Sequence, residues 1–531
     1  MSRLANCRRR AFILPVTLVV IGLLIVTLGG FLFFVRAEMQ GGYAANDMQQ
    51  AKLAAESGYQ ELIALLRWKR DDPSVWWHRP DLFHHGLVWA ESYDRQSDPV
   101  RELGSRLDMF QSGDPIVRAW RYSIVAAAYD MATSTDQRFI RFGPTPESAK
   151  LNINVASDEQ IAALITPILT DLQIDNVEQI IDAILDWRDD DDEARANGAE
   201  TEYYSTLEPP YAVKNGPFDT VEELLLVKNV TAAILYGEDV NRNGILDQNE
   251  DDGDASFPFY DNADGILNPG IAPFLTVWSG EPEVATDNQR RININGGAAA
   301  IQTGMADWQK RKDEDPNRVP NEVPLSQASL AFISALDQQT VQSLRSPADL
   351  YAGAGAPPTE SESNTPAPGG ALAGSPITLE ELPFLMDRFT VVPPAQQQGL
   401  IPGRININVA PARILRLLPG VNDEIVAAMI ATRNDLREND PQALRTVAWP
   451  VTAGVVSVPT FQQFAPLATT KAYQFHVECV GYADHTKISR RFEWIFEMIG
   501  PLPQIRYHRE LTQLGLAWPL DDDTLQLEMP Q

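Results

Sequence analysis

Cysteine is nearly missing from this chain: two stand among 531 residues, Cys7 and Cys479. Cys7 lies in a basic leader and Cys479 in a stretch that alternates like a strand, so no disulfide can staple the main body. A bound metal is one alternative staple. Basic side chains are also scarce, 43 against 72 acids, for a net charge of −29. Arg3, Arg8, Arg9 and Arg10 fall within the leader, which leaves the rest more acidic still. Such a surface is poor for nucleic acid, whose binding draws on Lys and Arg neutralising phosphates. It suits cations or plain solubility. Catalytic motifs are absent: there is no G-x-S-x-G, H-E-x-x-H, phosphate loop or C-x-x-C. Of six histidines, the group His78, His84 and His85 lacks metal-site spacing, and His476, His485 and His508 stand apart. Trp76, Trp77 and Trp89 read as core. A non-enzymatic protein is expected.

Charge is absent from one long run. The 25 residues Ala11–Val35 are uncharged and follow the four arginines. About 20 apolar residues cross a bilayer, and flanking arginines stay on the cytoplasmic side. The run exceeds the roughly 7–15 apolar residues of a secretory signal, and no A-x-A site follows it. A single membrane span is expected, with the N-terminus cytoplasmic and the bulk beyond the inner membrane. The helix should continue. Apolar or small residues recur at Ala44, Met48, Ala51, Ala55, Tyr59, Leu62 and Leu66 with helical spacing, and proline is absent from 37 to 72.

A phrase then recurs: LNINVASDEQIAAL (151–164), RININGGAAA (291–300) and RININVAPARILRLLPG (404–420). The second and third copies follow the strand-like FLTVWS (274–279) and RFTVV (388–392). Before those stand the related FDTVEELLLV (218–227) and ITLEELPFL (377–385). A repeated module of helix, strand, N-I-N turn and helix is indicated, with Asn154, Asn295 and Asn408 placed to cap the following helices. Residues 353–376 are rich in Pro, Gly, Ser and Ala and read as a linker. Near the C-terminus, Tyr473, Phe475, Val477 and Cys479 alternate with polar residues, and Phe492, Trp494 and Phe496 resume the period after GYADH. That is a β-hairpin with one buried face.

The segment DVNRNGILDQNE (239–250) fits a twelve-residue calcium loop. Asp239, Asn241, Asn243, Asp247 and Glu250 fill side-chain positions 1, 3, 5, 9 and 12. Gly244 takes the sharp turn at position 6 and Ile245 offers its carbonyl at 7. A helix over Val221–Leu235 would precede it. Further acids follow, among them Asp254, Asp261 and Asp264. From 238 to 264 nine acids face one base, Arg242, a repulsion that a cation would relieve. A second acidic run, DWRDDDDEARANGAETEYY (186–204), offers Asp189, Asp191 and Glu193 as further calcium ligands. The segment 404–433 is similar to a helix-hairpin-helix, but Asn422, Asp423 and Glu424 put the wrong sign at a phosphate site, so a structural hairpin is expected.

Taken together, the basic leader and apolar helix, DWRDDDDEARANGAETEYY, GPFDTVEELLLV, the acidic calcium loop and the N-I-N turns resemble the K-type minor pseudopilins of type II secretion systems. The resemblance spans nearly the whole chain. It implies an α+β fold: a long N-terminal transmembrane helix packed on an antiparallel pilin-like sheet, with a large, mostly α-helical insert domain. It also implies calcium as cofactor and a hetero-oligomer with the I- and J-type minor pseudopilins at the pseudopilus tip, with the stripe Ala44, Met48, Ala51, Ala55, Tyr59, Leu62 and Leu66 packing against their equivalent helices as the assembly face. A prepilin peptidase and the secretion inner-membrane platform are the other partners it implies; nucleic acid is not one. Cleavage between Ala11 and Phe12, with methylation of Phe12, follows from the same likeness. Ala11 stands where the family usually has glycine, and Val16 matches its lack of the pseudopilin glutamate. The expected layout is leader 1–11, membrane helix 12–36, amphipathic helix and first strands 37–150, and calcium-binding insert 151–290. A repeated module 291–352, linker 353–376, second repeated module 377–470 and C-terminal strands 471–531 complete it. The competing reading is a membrane-anchored extracytoplasmic DNA-uptake protein using 404–433; the net charge opposes it.

Overall fold

A computed structural model describes residues 13–92, 116–127, 140–314, 323–353, 372, 374–393, 396–500, 502–515 and 518. The leader with Ala11 and Phe12, and most of the expected linker, lie outside the described residues.

One helix, α1, runs over Ile13–Lys69, 57 residues. Its first half exposes large apolar side chains from Leu14 to Phe34. The Thr27 hydroxyl there donates to the Leu23 and Leu24 carbonyls, at 2.9 and 3.0 Å. A polar group satisfied within its own helix suits a span that must bring no unpaired donor into lipid. The antiparallel sheet expected with the helix is present. Its strands are β1 (Gly86–Ser92), β2 (Ile116–Ala127), β3 (Gln474–Ala483), β4 (Ser489–Glu497) and β5 (Gln504–Glu510), in that order across the sheet. β1 pairs antiparallel with β2, and β4 with β5. The hairpin expected around GYADH is β3–β4, with Cys479 buried in β3. Between β2 and β3 the chain builds the helical insert.

Two compact units are formed. The first comprises residues 1–58, 85–123 and 480–491. In it, Ala54 packs with Trp120 and Ala483. A Cβ on Gly481 would lie 2.0 Å from the Ala51 carbonyl oxygen, so only glycine lets strand and helix backbones approach this closely. Buried Asp47 accepts from Thr486 at 3.2 Å and faces His485 at 3.3 Å. The second unit comprises residues 59–84, 124–479 and 492–531. There Tyr59 stacks on Trp494 at 4.9 Å, and Leu62 and Leu66 are buried. These contacts correct the expected assembly stripe. Ala51, Ala55, Tyr59, Leu62 and Leu66 are buried inside their own chain, Ala44 is half-buried, and Met48 is exposed. The periodicity was that of an intramolecular seam.

The insert's core is continuous from Leu151 to Ala468, and its plan is a threefold repeat. Leu151–Asn152 pairs in parallel with Leu275–Thr276, Ile292–Asn293 with Phe389–Thr390, and Ile405–Asn406 with Ala468–Thr469. So FLTVWS and RFTVV close the copies that precede them in sequence, and do not open the copies that follow. The asparagines also work otherwise than expected. Asn152, Asn293 and Asn406 accept from the backbone N–H of Asn154, Asn295 and Asn408, at 3.0, 2.8 and 3.1 Å. Each also donates to a carbonyl beyond the partner strand, of Ser279, Val392 or Lys471. The second asparagines cap nothing. They tie outward instead, to the carbonyls of Phe218, Val391 and Leu444. The helix after the first copy, α2 (Asp158–Asp171), is capped by Ser157 in a box with Gln160. Two further helices are α3 (Val177–Arg188) and α4 (Asp423–Asn439). Asn422 caps α4 by accepting from Ile425 N–H at 2.9 Å, so one of the free N–H groups at that helix end is already taken.

Candidate metal centre

Residues 239–250 are wound by their own side chains. The Asp239 carboxylate accepts from the N–H groups of Asn243 and Gly244, both at 2.9 Å. Gly244 sits at φ +70°, the left-handed turn expected at position 6. Asn241 Oδ1 accepts from Asn243 N–H at 3.0 Å, and Asn243 Oδ1 from Ile245 N–H at 2.6 Å. Asp247 Oδ2 accepts from the amides of Asn241 and Asn243. Glu250 spans the loop: Oε1 accepts from Val240 N–H at 3.0 Å and Oε2 from Asp247 N–H at 3.2 Å. All five expected side-chain ligands therefore share one tight turn. Asp239, Asn243 and Glu250 are buried. Burial, with Asp239 and Asp247 nearby, pushes the Glu250 carboxyl up to about 7. An all-oxygen set holding a buried carboxylate among like charges fits a hard divalent ion such as calcium. The loop is also tied to the C-terminal region, where buried Trp518 donates its indole N–H to the Asn243 carbonyl at 3.2 Å.

The helix expected before the loop is two pieces, a 3-10 turn at Val221–Leu226 and a short helix at Ala232–Tyr236. Asn229, at φ +64°, breaks it.

A second wound loop follows. Asp261 accepts from the N–H groups of Asp252, Gly253 and Ala263, at 2.6, 2.7 and 2.6 Å. Asp264 accepts from Ile266 N–H at 2.8 Å. The side chain of Asp254 lies outside what is described. Glu238, which the loop's spacing does not single out, joins it. It is buried with Oε1 unpaired, and burial, with Asp261 and Asp264 beside it, pushes it up to about 7.

The tightest carboxylate cluster lies elsewhere. Among the described residues, Asp189, Asp191 and Glu200 bring ligand atoms within 4.8 Å of one another. Glu200 is 4% exposed, and neither of its oxygens has a partner. Burial first, then Asp186 and Asp189, pushes it up to about 7. Burial and Asp191 likewise raise Asp189. Glu193, expected as the third ligand, is exposed, and its N–H donates to Asp191 at 2.8 Å. Glu200 replaces it because Asp186 accepts from the N–H groups of Arg195 and Ala199, folding GAE back over Asp189. No local loop spacing carries that signal.

The histidines have structural partners. His78 accepts from Phe142 N–H at 3.1 Å, His85 faces the Tyr482 hydroxyl, and His476 pairs with Glu493 at 2.8 Å.

Residues 149–236, which hold the first N-I-N turn and the Asp189–Glu200 cluster, match the family model of the type II secretion system (T2SS), protein K. The resemblance to the K-type family is borne out over those residues. No curated protein matches the chain. It is similar to the crystal structure of the GspK–GspI–GspJ complex from the enterotoxigenic Escherichia coli type 2 secretion system. That likeness has 11% identity and a TM-score of 0.33 over 90% of this chain and 99% of that one, too distant to decide anything about this chain.

Proposed function

We propose that this chain, whose residues 149–236 match the protein K family, is a non-enzymatic minor pseudopilin that works as a tip subunit in type II secretion. The observation that carries this reading is the placing of the protein K segment. It sits in a helical insert between β2 and β3, behind a 57-residue helix whose first half is apolar and exposed. Such a helix fits a single-pass anchor in the inner membrane, with the insert outside it. Cleavage at Phe12 by a prepilin peptidase would free that helix for assembly with I- and J-type subunits on the inner-membrane platform. With the Ala51–Leu66 seam used internally, the opposite face, left for neighbouring helices, carries Met39, Tyr43 and Leu53. A bulky insert crowds a repeating shaft and suits a cap. Calcium is proposed at 239–250, at Glu238 with Asp261 and Asp264, and at Asp189, Asp191 and Glu200.

Co-expression with two smaller pseudopilin-like proteins tests the assembly. A stoichiometric ternary complex is expected. Uniform homopolymers, or tight DNA binding at physiological salt, would count against the reading.

A further inference from the structure

In a chain of net charge −29, a pocket in the insert is lined by bases without acids. A cavity of about 70 Å³ lies between Trp77, Arg141, Thr145, Phe274, Pro411 and Arg433. Arg141 and Arg433 are 2% and 6% exposed. Arg433 donates only to backbone, the carbonyls of Ile407 (3.2 Å) and Ala410 (2.7 Å), and its Nε is buried without a partner. Arg141 donates to the carbonyls of Trp77 and Pro144 and to the Thr145 hydroxyl. Half-buried Arg437 stands close by, its guanidinium 6.0 Å from the Trp77 ring centre, while that of Arg141 lies 3.8 Å over the same ring. Lys150, at the rim, already has Glu147 at 2.9 Å.

Elsewhere the insert pairs its buried arginines with carboxylates. Arg404 reaches Glu281 and Glu283, and Arg388 reaches Asp287. The contrast is sharpest with Arg188. It holds the same place on α3 that Arg433 holds on α4, donating to the carbonyls of Ile153 and Ala156. Yet Arg188 has Asp158 at 3.2 Å, whereas Arg433 has Arg437 one turn along and, among the described residues, no acid paired with it. Burial, then the charge of Arg437, pulls both Arg141 and Arg433 down to about 9. Arg437 also borders a small cleft with Asp71 and Asp72 but forms no ion pair there within 4 Å. Buried charge without a counter-ion is costly, and planar guanidinium forks match the oxygens of a multivalent oxyanion.

We infer that the cavity between Trp77, Arg141, Phe274 and Arg433 binds a tetrahedral oxyanion of the sulfate or phosphate class, with Arg433 Nε as the donor left open for it. Arg437 adds charge, and the Trp77 and Phe274 rings wall the site.

The test is isothermal titration of the full chain in detergent with sodium sulfate at constant ionic strength, a probe compatible with dissolved calcium. One saturable site is expected. It should be lost in Arg433→Gln and weakened about tenfold or more in Arg437→Gln, with circular dichroism reporting the fold of each. If Arg433→Gln fails to fold, the wild type and Arg437→Gln still decide. No saturable heat, or affinity unchanged in Arg437→Gln, overturns the inference. Tighter binding of acetate than of sulfate overturns the class of anion.

Discussion

The first and third N-I-N modules are one backbone device with opposite electrostatics. Both open with an asparagine that turns the chain and bridges to its partner strand, Asn152 and Asn406. Both place an arginine under that turn, Arg188 and Arg433. Around Arg188 the chain sets Asp158, Asp186, Asp189, Asp191 and Glu200, five acids against one further base, Arg195. Around Arg433 it sets Arg141 and Arg437, and among the described residues no carboxylate forms an ion pair with any of the three. The difference shows that the turn is held by neutral amides, which leaves the charge around it free to vary. The module is a scaffold, and the charge hung on it differs from copy to copy.

The largest expected effect tests the shared device. Asn152→Ala and Asn406→Ala each leave buried backbone groups unpaired, at about 1–3 kcal/mol per group. Urea unfolding should show similar losses in the two. A loss confined to one variant would break the equivalence of the modules. Next comes a sign reversal in the acidic module. Glu200→Gln removes a buried charge, so it should stabilise the metal-free protein. With calcium present the same change removes a ligand and should lower stability by up to about 2.7 kcal/mol at one hundred times Kd. Melting curves with calcium and with EDTA measure both arms. A variant that shifts both arms in the same direction would contradict the cation role.

A pH profile sharpens the contrast further. Glu200, Glu238 and Glu250 have folded pKa values raised to about 7, so between the unfolded value near 4.5 and 7 the native state binds more protons. Stability of the metal-free protein should therefore fall as pH rises through that window, and calcium should flatten the slope. A metal-free profile that rises from pH 5 to 7 would show that these carboxylates are not buried as described. The smallest effect belongs to Asp158→Asn. Asp158 is 46% exposed on its side chain, so losing its pairs with Arg188 and Arg195 should cost about 0–1 kcal/mol. A larger loss would make it structural.

Features encoded in local spacing were legible in the sequence. The long helix, the β3–β4 hairpin and the 239–250 loop each announce themselves within a window of residues. Features that depend on distant pairing were not. The stripe from Ala51 to Leu66 has helical period, but period alone does not say whether the buried face meets this chain or another. Glu200 reaches Asp189 only through a turn tied to Asp186, and Glu238 meets Asp261 and Asp264 across more than twenty residues. The N-I-N asparagines looked like helix caps because they precede helices. Their real partners are carbonyls 36 to 127 residues away. The anion-poor pocket of Arg141 and Arg433 joins residues too far apart for any motif.

The central claim is that the acid-rich insert is a calcium centre. Metal content settles it most directly: the full chain, purified in detergent and equilibrated with calcium, is dialysed and examined by mass spectrometry for bound metal, then melted with and without EDTA. The account predicts at least one retained calcium and a melting temperature that falls on chelation. No bound metal, with superimposable melting curves, would contradict it.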